Sequence, residues 1–379
     1  WTGKKEYLDV VSQTLEFINR HWSDPSGGFY SSYDADSEGE EGKYYVWTTQ
    51  ELETLIPDEH DRKMFYELND IQARGNWEEG KNILQIHRQP SELARKYNLS
   101  DEAFAEKIKS IQEKLLSARS KRIPPGLDDK ILTSWNGLML QGYVDAYRVT
   151  GTKDYLDRAL KNARFIAGKM IQEGNRLNRN YKNGKSTING FLDDYAITIQ
   201  AFLSLYQCTF DSTWLNHADG LMKHVLAHFD GDSSGLFYYT SDLDPALIAR
   251  RVDFGDNVIP SSNSILARDL YVLGTLLDFE AYIHRSRKMF NTVWPRIQAD
   301  EQPSFYSNWC QLMLSMASPP YEVAIVGDQF ATSLAAMQLT YQPDALYLGG
   351  RTEGTLPLLE HKEVPGQTVI YVCRNKVCK

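Results

Sequence analysis

The sequence predicts a mainly helical α/α toroid, and three observations predict it. A helix-opening unit recurs: WTGKKEYLDVV starts the chain, VTGTKDYLDRAL spans 149–160, STWLNHADGL spans 212–221, and a weaker copy, EAYIHRSRKM, spans 280–289. Each copy sets an aromatic residue (Tyr7, Tyr155, Trp214, Tyr282) and an aliphatic one at the start of a helix, and such repetition marks a periodic architecture. The segments ahead of these units carry apolar residues at helical spacing, as in Trp135, Leu138, Met139, Tyr143, Ala146 and Tyr147, one face of a helix. Short Thr-Gly or Asp-Ser turns then join each helix to the next, which makes the two antiparallel neighbours.

The elements follow in order. A first helix is expected over 4–21, then pairs 134–149 with 154–171, 191–207 with 212–229, and 261–277 with 279–297, and a last helix over 304–317. GGFYSS (27–32) recurs as GLFYYT (235–240), and glycine followed by aromatics reads as a short strand. A charged insertion, 48–125, interrupts the repeat with short helices near 48–56, 58–68, 91–97 and 101–120. The toroid domain is thus 1–318. Beyond Pro319 and Pro320, the runs YEVAIVG, ALYLGG and TVIYVC predict a small β or α/β appendage over 319–379, with a helix near 329–338. VTG closes a helix in its own copy, whereas WTG has none before it and Trp1 is not methionine. The toroid is therefore expected to be incomplete at its N-terminus, with Val10, Val11, Leu15 and Ile18 of the first helix left uncovered.

Composition narrows the partners. A net charge of −9 argues against nucleic acid and anionic membranes. No apolar run reaches the roughly 18 residues of a membrane span. Four cysteines in 379 residues make no disulfide framework, and a cytoplasmic, reducing location is expected. Cys373 and Cys378 form C-x4-C, either as free thiols or as a redox pair or disulfide.

Polar clusters precede or open each inner helix: Asp128, Asp129, Lys130, Trp135 and Asn136; Asp193, Asp194 and Tyr195; Asp256, Pro260, Ser261 and Asn263; Ser307, Asn308 and Trp309. Inner helices of a toroid run parallel, so these clusters gather at one mouth. Capping explains serines and first-turn acids, but it requires no tryptophan, amide or lysine beside them. Aromatic rings that stack on sugars, with carboxylates and amides for hydroxyls, suggest a carbohydrate site. The run Asp34-Ala-Asp36-Ser-Glu38-Gly39 begins like a calcium loop, yet Tyr45 stands where the closing glutamate is required. Its neighbours Tyr30, Tyr33, Tyr44, Tyr45 and Trp47 favour a loop at the functional mouth. His224 and His228 lie one turn apart without a third ligand and read as a surface pair. No cofactor and no metal is expected.

DADSEGEEGKYYVW, LDDKILTSWNG, LDDYA and P-S-x-N-S, in this order, resemble the YyaL-like thioredoxin-domain-containing family of the spermatogenesis-associated protein 20 type. The resemblance runs along nearly the whole chain. It implies a toroid of the six-hairpin glycosidase and N-acylglucosamine 2-epimerase kind, and a thioredoxin-like domain in the parent protein as a partner. It implies no particular reaction. Asn257 and Ser262 stand where the family usually has glycine, which leaves the local backbone shape open.

The expectation is therefore a carbohydrate-active enzyme, a hydrolase or a sugar isomerase/epimerase. A hydrolase needs two carboxylates, here Asp193 or Asp194 with Asp34 or Asp36. Trp135, Tyr195 and Tyr30 are expected to stack on the sugar. Asn136 and Asn263 would bond hydroxyls, with Lys130, Asp256 and Ser261 completing the site. An epimerase would favour histidine acid–base chemistry, and no histidine falls in a rim motif. The alternative is a non-catalytic binding or scaffold module that serves the thioredoxin-like domain.

Overall fold

The computed structural model describes residues 2–231 and 233–378. Trp1, from which the incomplete first hairpin was inferred, lies outside them. Helix accounts for 53% of the chain and strand for 13%, the mainly helical class expected. Two compact units emerge: residues 1–31 with 129–379, and residues 32–128. The second unit begins before the insertion read over 48–125.

The first unit opens with α1 (Lys5–His21). Leu15 and Ile18 are buried in the main core, whereas Val10 and Val11 stay exposed. The expectation that all four lie uncovered is thus half corrected. The two deeper residues pack on ring helices, and Asn19 beside them accepts the Tyr143 hydroxyl at 2.7 Å.

The second unit holds β1 (Ser32–Tyr33), β2 (Asp36–Ser37), β3 (Glu40–Glu41), α2 (Thr49–Leu55), α3 (Glu59–Asn69), α4 (Pro90–Lys96), α5 (Asp101–Arg119) and β4 (Leu127–Asp128). Its ends meet, because β1 pairs antiparallel with β4. Its own core gathers Trp47, Leu52, Phe65, Leu93, Phe104 and Ile111. Ser100 caps α5 through the Ala103 N–H, and Phe104, Ile108, Ile111 and Leu115 form its buried stripe.

The chain re-enters the first unit at β5 (Ile131–Leu132) and α6 (Thr133–Thr150), which turns at Gly151, φ +67°, into α7 (Lys153–Phe165). A hairpin, β6 (Asn178–Lys182) and β7 (Lys185–Asn189), adds to β5. Then come α8 (Leu192–Thr209), α9 (Ser212–His228), α10 (Ser262–Leu276), α11 (Glu280–Ala299) and α12 (Ser307–Ala317). α6, α8, α10 and α12 stand side by side as an inner layer, and α7, α9 and α11 each pack behind the inner partner to which they are joined. This is the hairpin order that the repeat predicts. The GGFY and GLFY strands shrink to single bridges, Ser23 to Phe29 and Asp230 to Phe237.

The chain ends in β8 (Tyr321–Val326), α13 (Phe330–Gln338), β9 (Ala345–Gly350), β10 (Val369–Arg374) and β11 (Val377–Cys378). The sheet order is β11-β10-β8-β9, with β8 and β9 parallel. Val326, Leu348 and Leu359 belong to the same core as the ring helices. Gln207 of α8 binds this sheet, its Oε1 accepting the Tyr347 N–H at 3.2 Å. Cys373 and Cys378 face each other across β10 and β11 and form a disulfide. Among the described residues, no helix is long and apolar enough to cross a membrane.

Candidate functional site at the inner-helix mouth

The repeated Asn residues explain the repeated Phe. Asn136, in the first turn of α6, accepts the Phe29 N–H at 2.8 Å and donates to the Phe29 carbonyl at 3.0 Å. Asn263, in the first turn of α10, accepts the Phe237 N–H at 2.7 Å and donates to the Phe237 carbonyl at 3.0 Å. Each side chain replaces a missing strand partner, which buried backbone groups require. Both amides are fully committed in this way, so neither presents a free group for a sugar hydroxyl.

The buried acids act similarly on helix ends. Asp194 Oδ1 accepts the Ser134 N–H of α6 at 3.0 Å, while Oδ2 accepts the Phe191 N–H at 3.0 Å and Arg179 Nη1 at 2.9 Å. Asp256 accepts the Ser261 N–H and the Ser264 hydroxyl with Oδ1, and the Asn308 N–H of α12 with Oδ2. Each carboxylate thus fills open donors on two neighbouring inner helices. Ser261 caps α10 through the Ser264 N–H. Burial first, then the Asp193 carboxylate beside it, push Asp194 up to about 7, against Arg179 and the backbone N–H groups. Three donors and no acceptor face its oxygens, which suits an anchor rather than a proton donor. At the departure from the family pattern, neither Asn257 nor Ser262 takes a positive φ, so no glycine is needed there.

Tyr195 is wholly buried, with its ring stacked on His224 and its hydroxyl oxygen accepting the Leu177 N–H at 2.7 Å. It shows no face to a ligand, contrary to the stacking role expected. Its partner His224 is likewise buried, not at the surface. Tyr30 is half-buried and donates to Asp24 at 2.9 Å. Burial and then Asp24 push its phenol up to about 12.

The open part of the mouth is smaller. Trp135 is 47% exposed, and Lys130 is exposed. Asp193 keeps 16% of its side chain accessible and meets Arg179 at 3.2 Å. Arg179 lies over the Phe191 ring at 4.8 Å. Tyr239 flanks the cluster, its phenol pushed up to about 12 by burial and then by Asp193. Because the Ser134 N–H bonds Asp194, Trp135 and Asp193 stand at adjoining helix starts. Arg179 and Tyr239 were not legible as site residues, since they arrive from β6 and from the segment after the GLFY bridge.

Asp34 and Asp36 belong to the second unit and are exposed. Asp36 pairs with Glu41 across a two-residue turn at Glu38 and Gly39, both of positive φ, a tight hairpin turn. Trp47 is buried in that unit's core, and Arg119 lies over Tyr44 and Tyr45. Among the described residues, the acids of this loop form no cluster able to hold a metal; Asp58, His60 and Asp61 do come together.

No family model matches the chain. Spermatogenesis-associated protein 20 of Homo sapiens is 27% identical over 100% of this chain and 53% of its own length. The Mus musculus protein of that name is 26% identical over the same shares. An uncharacterised protein of Caenorhabditis elegans is 29% identical over 76% of this chain and 43% of its own. These relatives bear out the resemblance carried by the motifs, and the chain spans about half their length. Among solved structures, a GH76 α-mannanase of Bacteroides thetaiotaomicron is 10% identical over 90% of this chain and 88% of its own, with TM-score 0.40. Cellobiose 2-epimerase of Bacillus thermoamylovorans is 12% identical over 76% and 72%, with TM-score 0.38. Likenesses this distant say nothing about chemistry, so function rests on the residues of the mouth.

Proposed function

We propose that the chain forms the sugar-binding mouth of a carbohydrate-active enzyme. The observation that carries this is the pairing, at the adjoining starts of α6 and α8, of a half-exposed indole with an accessible carboxylate. Trp135 offers a flat apolar face to a sugar ring. Asp193, held by Arg179, offers an acceptor for hydroxyls or a base, while Asp194 beneath it is spent on helix ends. Hydrolysis requires a second carboxylate; the sequence offers Asp34 and Asp36 for it, and they belong to the other unit. Calorimetric titration and turnover assays with mono- and oligosaccharides test the reading. Trp135→Ala should weaken binding about tenfold, and Asp193→Asn should cut turnover about 10²–10⁴-fold with folding intact. If no sugar is bound or converted, the proposal fails.

The disulfide between Cys373 and Cys378 favours a second reading, a binding module that exchanges thiols with a thioredoxin-like partner. Thiol titration after incubation with reduced thioredoxin decides it. An unreactive disulfide would remove this reading.

A further inference from the structure

A second polar site lies deeper in the inner layer. Arg148 of α6, Gln200, Ser204 and Gln207 of α8, and Arg268 and Asp269 of α10 line a cleft of about 220 Å³. The segment 340–346, between α13 and β9, supplies its remaining wall. Arg148 lies 13 residues beyond Trp135, about 20 Å along the helix. The cleft is therefore distinct from the mouth.

Its charges are poorly matched within the protein. Arg148 Nε is buried without a hydrogen-bond partner. Asp145, one turn earlier, is bonded instead by Gln141 at 3.0 Å. Arg268 donates to Asn308, and among the described residues neither arginine has a carboxylate within ion-pair distance. Asp269 is 3% exposed, and its Oδ2 has no partner. Burial pushes this carboxyl well above the usual range, with Arg268 pulling the other way. Leaving buried polar groups unpaired is costly, and native proteins seldom do so without a role for the site.

We infer that this cleft binds a small hydroxylated acid, a carboxylate or phosphate on a body no larger than one monosaccharide. Arg148 and Arg268 receive the anionic oxygens, for which planar guanidinium groups are suited. Gln200 and Ser204 bond the hydroxyls, beside Gln207, whose amide oxygen already accepts the Tyr347 N–H, and Asp269 completes the lining. The inference does not depend on the mouth being a carbohydrate site.

Calorimetry on the intact chain at fixed ionic strength tests it, with gluconate and glycerol 3-phosphate as probes and with inorganic phosphate and glucose as controls. One of the two acids should bind saturably, which also separates the carboxylate source from the phosphate source. Arg148→Gln should weaken that binding at least about tenfold, with the melting temperature measured alongside, because Arg148 also offsets the charge of the neighbouring Asp145. Trp135→Ala should leave it unchanged. Binding no tighter than that of glucose, or undiminished binding by Arg148→Gln, would overturn the site. Equal binding of inorganic phosphate would overturn the hydroxylated class of ligand.

Discussion

Two residues at the mouth do work that their chemistry disguises. Asn136 and Asn263 resemble sugar-binding amides in sequence, yet each is closed on the backbone of a Phe. Asn263→Ala would strand the buried N–H and carbonyl of Phe237 and the Asp253 carbonyl, which Asn263 also bonds at 2.7 Å. With about 1–3 kcal/mol for each buried group left unpaired, a loss of about 3 kcal/mol is expected in urea unfolding. A change below about 1 kcal/mol would show that water replaces the amide. Asp269 makes a pH prediction. Its folded carboxyl titrates well above the ordinary value, so the fold prefers it protonated. Stability is then complete below about pH 4, the ordinary aspartate range. It falls as pH rises toward the folded value, because the unfolded chain releases the proton first. Melting temperatures from pH 4 to 8 should decline for the native chain and decline less for Asp269→Asn. Equal slopes would refute the assignment.

Helices were legible where apolar positions repeat at helical spacing, and each long hairpin of the ring lies within a few residues of its expected place. The β6–β7 hairpin was not, because NRNYKNGKSTIN is polar apart from Tyr181 and Ile188 and shows no alternation. Its turn was nevertheless signalled by Asn183-Gly184, both of positive φ, a favoured hairpin dipeptide. The clustering of acids at the mouth was also legible, but their use was not, since capping a neighbouring helix depends on which helix stands next to it. The cleft residues had a readable signal: Gln200, Ser204 and Gln207 form a polar stripe at i, i+4 and i+7 on a helix otherwise apolar, and Arg148 ends a like stripe with Gln141 and Asp145. At the same scale, Gly137 sets the approach of α6 to α8. A Cβ there would lie 2.8 Å from Ile197 Cγ2 and 3.3 Å from the Ile197 backbone. Gly137→Val should therefore push the two helices apart and cost about 1–3 kcal/mol or more. Chemical denaturation checks this, and an unchanged midpoint would mean that α6 shifts freely.

At the scale of the whole molecule, the chain leaves the ring after Ser31 and returns at Asp129. The unit between them has its own core and paired ends, Ser32 opposite Asp128 and Tyr33 opposite Leu127. Ends held one strand spacing apart, about 5 Å, can be bridged by a short loop, which is the condition under which an inserted unit is removable. Replacing 32–128 with a short Gly-Ser linker should leave a chain that melts cooperatively, and 32–128 alone should fold as a helical unit. Circular dichroism and thermal unfolding of the two pieces measure both outcomes. Failure of either piece to fold would show that its core draws on the other. The same deletion separates binding from chemistry in the proposed function. Trp135 and Asp193 remain in the ring piece, whereas Asp34 and Asp36 leave with the insertion. If the second carboxylate comes from that unit, the ring piece should still bind sugar but lose turnover. Retained turnover would place both catalytic groups in the ring and eliminate Asp34 and Asp36.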